Sequence, residues 1–184
     1  MIELTLDGVI SLVSVTVVAQ YAWSLRSHFS SPTMPLGTRL ISVVVIATAA
    51  IYLFLLWYQS QPVVAQIAGL AVELAGLALF WAAIAASREA RLGLAFNADK
   101  PDGIVAKGPY FYLRHPFYTS YLLFWTGWAL AVWSLWTLLP LALIAGIYLT
   151  AARGEERKFS NSSFAADYQA YRQRTGFFWP RFFG

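Results

Sequence analysis

The chain contains no cysteine. That excludes disulfide frameworks, thiolate metal sites and a cysteine nucleophile, and it leaves the redox compartment unreadable. Charge is scarce too: Asp, Glu, Lys and Arg make up 12% of the residues, against about 25% in soluble domains. Histidine occurs only as His28 and His115 and acids are few, so the three or four converging ligands of a metal site are lacking. A Gly-x-Ser-x-Gly elbow, a P-loop and a Gly-x-Gly-x-x-Gly fingerprint are all missing. A His-x4-Asp acyltransferase motif fails as well, because Ser120 stands where the Asp belongs. What stays open is chemistry in which a bound cofactor carries the hard step and the protein supplies position and electrostatics.

What the chain has in quantity is apolar surface. Hydrophobic residues make up 59% of its 184 positions, and runs of the roughly 20 residues needed to cross a hydrocarbon core occur at 6–25, 40–58 and 63–86. A further run, Phe117 to Ala152, is too long for one span and breaks near Trp133–Trp136, with Pro140 just inside its second half. It reads as a hairpin of two helices, 117–133 and 136–152. The expectation is an all-α integral membrane protein of five transmembrane helices and a single domain over 1–184. A polar loop at 87–114 and a tail at 153–184 complete it.

The basic residues orient this arrangement. All thirteen Lys and Arg fall on one side of a five-span chain, and the opposite loops, Gln59–Pro62 and Trp133–Trp136, have none. The positive-inside rule then puts the N-terminus outside and the loop and tail in the cytoplasm. The net charge of +4 is a topology signal, and no basic patch for nucleic acid stands apart from it. Glu3 and Asp7 occupy the place of a basic n-region, so no cleaved signal peptide is expected. A prokaryotic plasma membrane suits so small a chain.

Two cytoplasmic segments carry the chemistry. The acid pair Glu155–Glu156 follows the last span, where carboxylates oppose the helix macrodipole by some tenths of a kcal/mol each. Their counter-charge is either Arg153, Arg157 and Lys158 as surface pairs or a cationic partner. Hairpin geometry favours a cleft, because it brings His115–Tyr118 beside Glu155. Elsewhere, Glu73 sits mid-span, where an ionisable group is a functional candidate. It shares a face with Ala65, Gly69 and Gly76, small residues that admit a neighbouring helix, so it points into the bundle. Trp57, Trp81, Trp133 and Trp136 read as interface anchors.

The stretch "DGIVAKGPYFYLRHPFYTS" resembles the Gly-Pro-Tyr-x3-Arg-His-Pro-x-Tyr signature of the integral membrane methyltransferases typified by isoprenylcysteine carboxyl methyltransferase. The later "EE" at 155–156 and "YQAYRQRTGFFWPRF" resemble that family's Glu-Glu pair and Tyr-x2-Tyr ending. The likeness runs from about Ile104 onward. It implies S-adenosylmethionine as methyl donor, held in a cytoplasmic pocket by Asp102, Gly103, Ile104, Val105, Tyr110, His115, Pro116, Phe117, Tyr118, Glu155 and Glu156. Glu155 would face the donor's ammonium. The acceptor would be lipophilic, entering from the bilayer among the membrane lipids: a prenylcysteine-like carboxylate, or a lipid amine, phenol or thiol. A carboxylate needs no base, whereas an amine or thiol needs His115 or Tyr118. Arg114 and Arg153 are the basic candidates for substrate contact or catalysis, although Arg153 lies about 200° around a helix from Ala151, where the family's substrate-directing Arg would stand. Two positions depart from the pattern, Ser120 for a Gly and Ala151 for a substrate-directing Arg, and the second favours an amine, phenol or thiol. Sterol and steroid reductases are distantly similar in this half, which keeps an NADPH-dependent membrane reductase open. A scaffold or transporter centred on Glu73 is the non-enzymatic alternative.

Overall fold

The computed structural model describes residues 2–27, 36–88 and 104–182. Asp102, Gly103 and His28 lie outside the described residues. Among the described residues six α-helices follow in order: α1 (Ile2–Ser27), α2 (Leu36–Tyr58), α3 (Val63–Ser87), α4 (Pro116–Val132), α5 (Leu138–Ser160) and α6 (Ala165–Arg174). Two 3₁₀ turns, Gly108–Phe111 and Leu135–Thr137, precede α4 and α5. Among the described residues there is no strand, only one isolated parallel bridge, Leu113 to Gly176.

Among the described residues, four helices are long and apolar enough to cross a membrane: Ile2–Leu25, Arg39–Tyr58, Val63–Ser87 and Leu135–Ser160. The expected fifth, α4, has 17 residues and so a length of about 26 Å, a little short of the roughly 30 Å of hydrocarbon. Its shortness goes with its position in the bundle. Phe124, Trp125 and Trp128 on α4 are fully buried, so protein rather than lipid surrounds most of this helix. The hairpin break falls where the sequence places it. Trp133 takes the left-handed conformation, φ 49°, and its N–H reaches back to the carbonyls of Ala129 and Leu130 to close the helix.

Small residues let α3 and α4 touch backbone to backbone. A Cβ on Gly69 would lie 2.5 Å from the Ala131 nitrogen and the Gly127 oxygen, and one on Gly76 would lie 2.8 Å from the Ser120 oxygen. Along α1 and α3 runs a buried polar seam one heptad in period. Gln66 donates to Asp7 at 2.6 Å and the Ser14 hydroxyl donates to Glu73 at 2.8 Å. Tyr21 and Phe80 continue that seam as a ring contact at 4.8 Å. Glu73 thus faces the interior, as its small-residue face predicts, and is hydrogen-bonded there.

The ends of the helices sort into two groups. At one, the Gln61 N–H donates to Glu3 and the Tyr52 hydroxyl donates to the Thr137 carbonyl. That gathers the start of α1, the α2–α3 turn and the α4–α5 turn. The other gathers the Gly108–His115 segment, the end of α5, α6 and the C-terminal segment.

Candidate active site

The segment before α4 is held from several directions. The Tyr171 hydroxyl on α6 donates to the carbonyls of Tyr110 at 2.7 Å and Leu113 at 3.3 Å. Arg114 N–H donates to the Gly176 carbonyl at 2.8 Å, and Gly176 N–H to the Tyr112 carbonyl at 3.0 Å. Pro116 at the first helical position then starts α4, its fixed φ suiting the turn and its missing N–H costing nothing there. His115 therefore stands at a fixed corner between an anchored loop and a helix.

The two glutamates of α5 meet this corner differently. Glu156, its side chain 10% exposed, accepts from Arg114 Nε at 2.7 Å and lies 3.8 Å from Arg172 Nε. Arg114 also donates to the carbonyls of Arg172 and Thr175, and its guanidinium lies 5.5 Å from the centre of the Phe177 ring. Glu155, 29% exposed, accepts the Tyr118 hydroxyl at 2.8 Å. Among the described residues, no Lys or Arg forms an ion pair with it. The His115 ring lies between the two acids, Nδ1 3.5 Å from Glu155 and Nε2 3.4 Å from Glu156. Burial pushes the His115 pKa down, but the hydrogen bonds and charges of the two carboxylates outweigh it and hold the imidazole above its ordinary range.

Aromatic rings wall the corner. Tyr118 lies 5.6 Å from Tyr148, which is itself 5.4 Å from Tyr121. Phe177 and Phe178 approach His115 edge-on at 4.8 and 6.0 Å. Tyr148 escaped the sequence reading although it lies seven residues, two helical turns, before Glu155 and so on one face with it. Arg172, Thr175, Gly176 and the two phenylalanines escaped it: long-range backbone pairing at Gly176 places the last four, and Arg172 reaches Glu156 with its side chain from α6.

The remaining expected residues divide. Ile104 and Val105 are half-buried, and Val105 packs on the core. Tyr110 is buried beneath α6, and Phe117 turns into the bundle against Phe80 at 5.8 Å. Arg153 is exposed and has no place in this cluster. Ser120 is fully buried and turns its hydroxyl back onto the Phe117 carbonyl at 2.7 Å, so the extra side chain is absorbed within its own helix. Ala151 is buried one helical turn before Glu155, and with Gly146 and Gly154 it lines an open groove along α5.

The family described as phospholipid methyltransferase matches residues 64–167, more than half of the chain. The chain belongs to the phospholipid methyltransferase family. The match runs from the start of α3 into α6 and includes the Arg114–His115–Pro116 corner and both glutamates. The resemblance first seen from Ile104 onward therefore extends back across a whole further helix. No curated protein and no solved structure matches. With its long apolar helices, this phospholipid methyltransferase family member is an integral membrane protein and, by family, a methyltransferase.

Proposed function

We propose that the chain is a five-span methyltransferase that takes its methyl group from S-adenosylmethionine and gives it to a lipophilic acceptor entering from the bilayer. The observation that carries this reading is the division of labour between the two glutamates. Glu156 is matched by two arginines, while Glu155 keeps a partly exposed carboxylate that, among the described residues, Tyr118 and His115 approach. A carboxylate so placed suits the ammonium of an amino-acid cofactor, and the aromatic wall suits a sulfonium and a nucleoside ring. When bound, the cofactor would supply a methyl group whose leaving thioether departs neutral, so neither a metal nor an acid is demanded of the protein.

The protein's part is positional. His115, Tyr118 and Glu155 hold the donor side, and the rings of Tyr118, Tyr148 and Phe178 exclude water from it. Ala151 offers no charge to an acceptor carboxylate, which favours an amine, phenol or thiol. Such an acceptor must lose a proton. The Tyr118 hydroxyl can take it while passing its own to the Glu155 oxygen 2.8 Å away. The groove along α5 reaches Gly154, next in the chain to Glu155, and would give an apolar acceptor an approach.

Calorimetric titration of the detergent-purified protein with S-adenosylhomocysteine, and separately with NADPH, tests the reading. Saturable binding of the thioether alone is expected. Binding of NADPH alone would replace the methyltransferase with the reductase. Binding of neither by folded protein would overturn both.

A further inference from the structure

The last turn of the site is built by the residues that follow the Tyr-x2-Tyr pair of α6. After α6 the chain doubles back. Thr175 bonds its hydroxyl to the Tyr171 carbonyl at 2.7 Å, and Gly176 then pairs with the Tyr112–Arg114 segment through both its N–H and its carbonyl. Arg181 N–H adds a third backbone bond, to the Tyr112 carbonyl at 3.2 Å, and the Phe178 carbonyl accepts from the Thr119 hydroxyl at 3.1 Å. The strap is thus tied to the loop before His115 and to the first turn of α4 after it.

Gly176 is the position at which this strap is decided. A Cβ there would lie 1.7 Å from the Trp179 carbonyl oxygen and 2.9 Å from its carbon, both backbone atoms that cannot swing away. Only glycine lets the chain turn this tightly between Thr175 and Trp179. What the turn delivers is the Phe177 ring on one side of the imidazole and the Thr175 carbonyl on the guanidinium of Arg114.

We propose that the C-terminal strap 175–181 is a positioning element of the active site, with Gly176 its specifying residue, holding His115 between Glu155 and Glu156. The groups that face the imidazole are Glu155 and Glu156 from α5 and Tyr118 from α4, while Arg114 and Arg172 act on it through Glu156. The methyl-transfer consequence rests on the function proposed above; the placement of His115 does not.

The test is Gly176→Ala in the full-length chain, read in two ways. With two histidines in the protein, isotope-labelled histidine gives two resonances, and His28→Gln assigns them. The His115 titration midpoint is expected above the ordinary value of about 6.5 in the parent and to fall back toward it in Gly176→Ala. In parallel, the KM for S-adenosylmethionine is measured at a pH above the parent's midpoint, where the neutral imidazole no longer competes for Glu155. It is expected to rise about tenfold with a smaller change in kcat, the pattern of lost binding geometry. If Gly176→Ala does not fold, Thr119→Val unties the strap from α4 at the Phe178 carbonyl without uncovering the imidazole, and its His115 midpoint must also fall. A folded variant with the parent's midpoint would overturn the proposal even if the parent binds S-adenosylhomocysteine. A fallen midpoint in a protein that binds no S-adenosylhomocysteine would keep the strap's role and overturn the methyltransferase reading.

Discussion

A Glu155→Gln substitution removes a charge while leaving an oxygen for the Tyr118 hydroxyl, and the same change at Glu156 strands two guanidinium groups. The two variants are therefore expected to fail differently. Glu155→Gln should fold with near-parental thermal stability and lose S-adenosylhomocysteine binding in calorimetry. Glu156→Gln should lose about 3 kcal/mol of stability, the scale for breaking a largely buried ion pair, seen as a lower unfolding midpoint. Equal loss of stability in both would mean that the glutamates share one structural job. His115 adds a pH dependence with a definite sign. Its folded pKa is raised by the carboxylates, so its ion pairs contribute stability that is fully present below about pH 6.5 and lost as pH rises through the folded value. A cofactor ammonium at Glu155 competes with that imidazolium for the same carboxylate. Binding should then tighten with rising pH by up to about tenfold per unit, the limit for release of one proton, and the slope should vanish in His115→Gln. Affinity that weakens over that range would show that the imidazolium assists the cofactor.

At the scale of helices, the α3–α4 contact is the least forgiving feature. Gly69 faces backbone atoms of α4 at distances no Cβ tolerates, so Gly69→Val must push the two helices apart, at a cost of about 1–3 kcal/mol for overpacking. Gly146 on α5 meets nothing within 4 Å, and Gly146→Val is the matched control expected to leave the unfolding midpoint unchanged. The sequence made this level of structure readable unevenly. Apolar runs locate α1, α2 and α3 to within four residues and the start of α5 to within two, because burial in lipid demands length and composition that little else imitates. The end of α5 differs: the helix continues eight residues past the expected 152 to Ser160. The Arg114–His115–Pro116 corner and Glu155–Glu156 were legible as motifs, and their convergence followed from the hairpin. The opposite fates of Glu155 and Glu156 were not legible, since one helical step separates a partly exposed carboxylate from one caught between arginines. The strap was hidden for a different reason. Thr175–Arg181 makes its bonds through main-chain atoms to a segment some sixty residues away, and backbone pairing without periodicity leaves no pattern in side-chain types.

Across the whole molecule, the proposed five crossings rest on how α4 and α5 pack. α5 is long and apolar enough to span, and α4 runs antiparallel beside it. The start of α4, at His115 and Tyr118, meets the end of α5 at Glu155 and Glu156, and the two helices are joined at the far end by Trp133–Thr137. If α5 crosses, α4 must cross back, whatever its 17 residues imply by length alone. Five crossings place the termini on opposite sides, and all thirteen basic residues then lie on the side of the C-terminus. A fluorescent-protein fusion that matures only in the cytoplasm should therefore be bright on the C-terminus and dark on the N-terminus, while a periplasm-dependent phosphatase fusion gives the reverse. Brightness at both ends would mean an even number of crossings. In that case α4 would be re-entrant, and the Glu155 corner would have to open within the membrane instead of at its cytoplasmic face, where a water-soluble methyl donor could reach it.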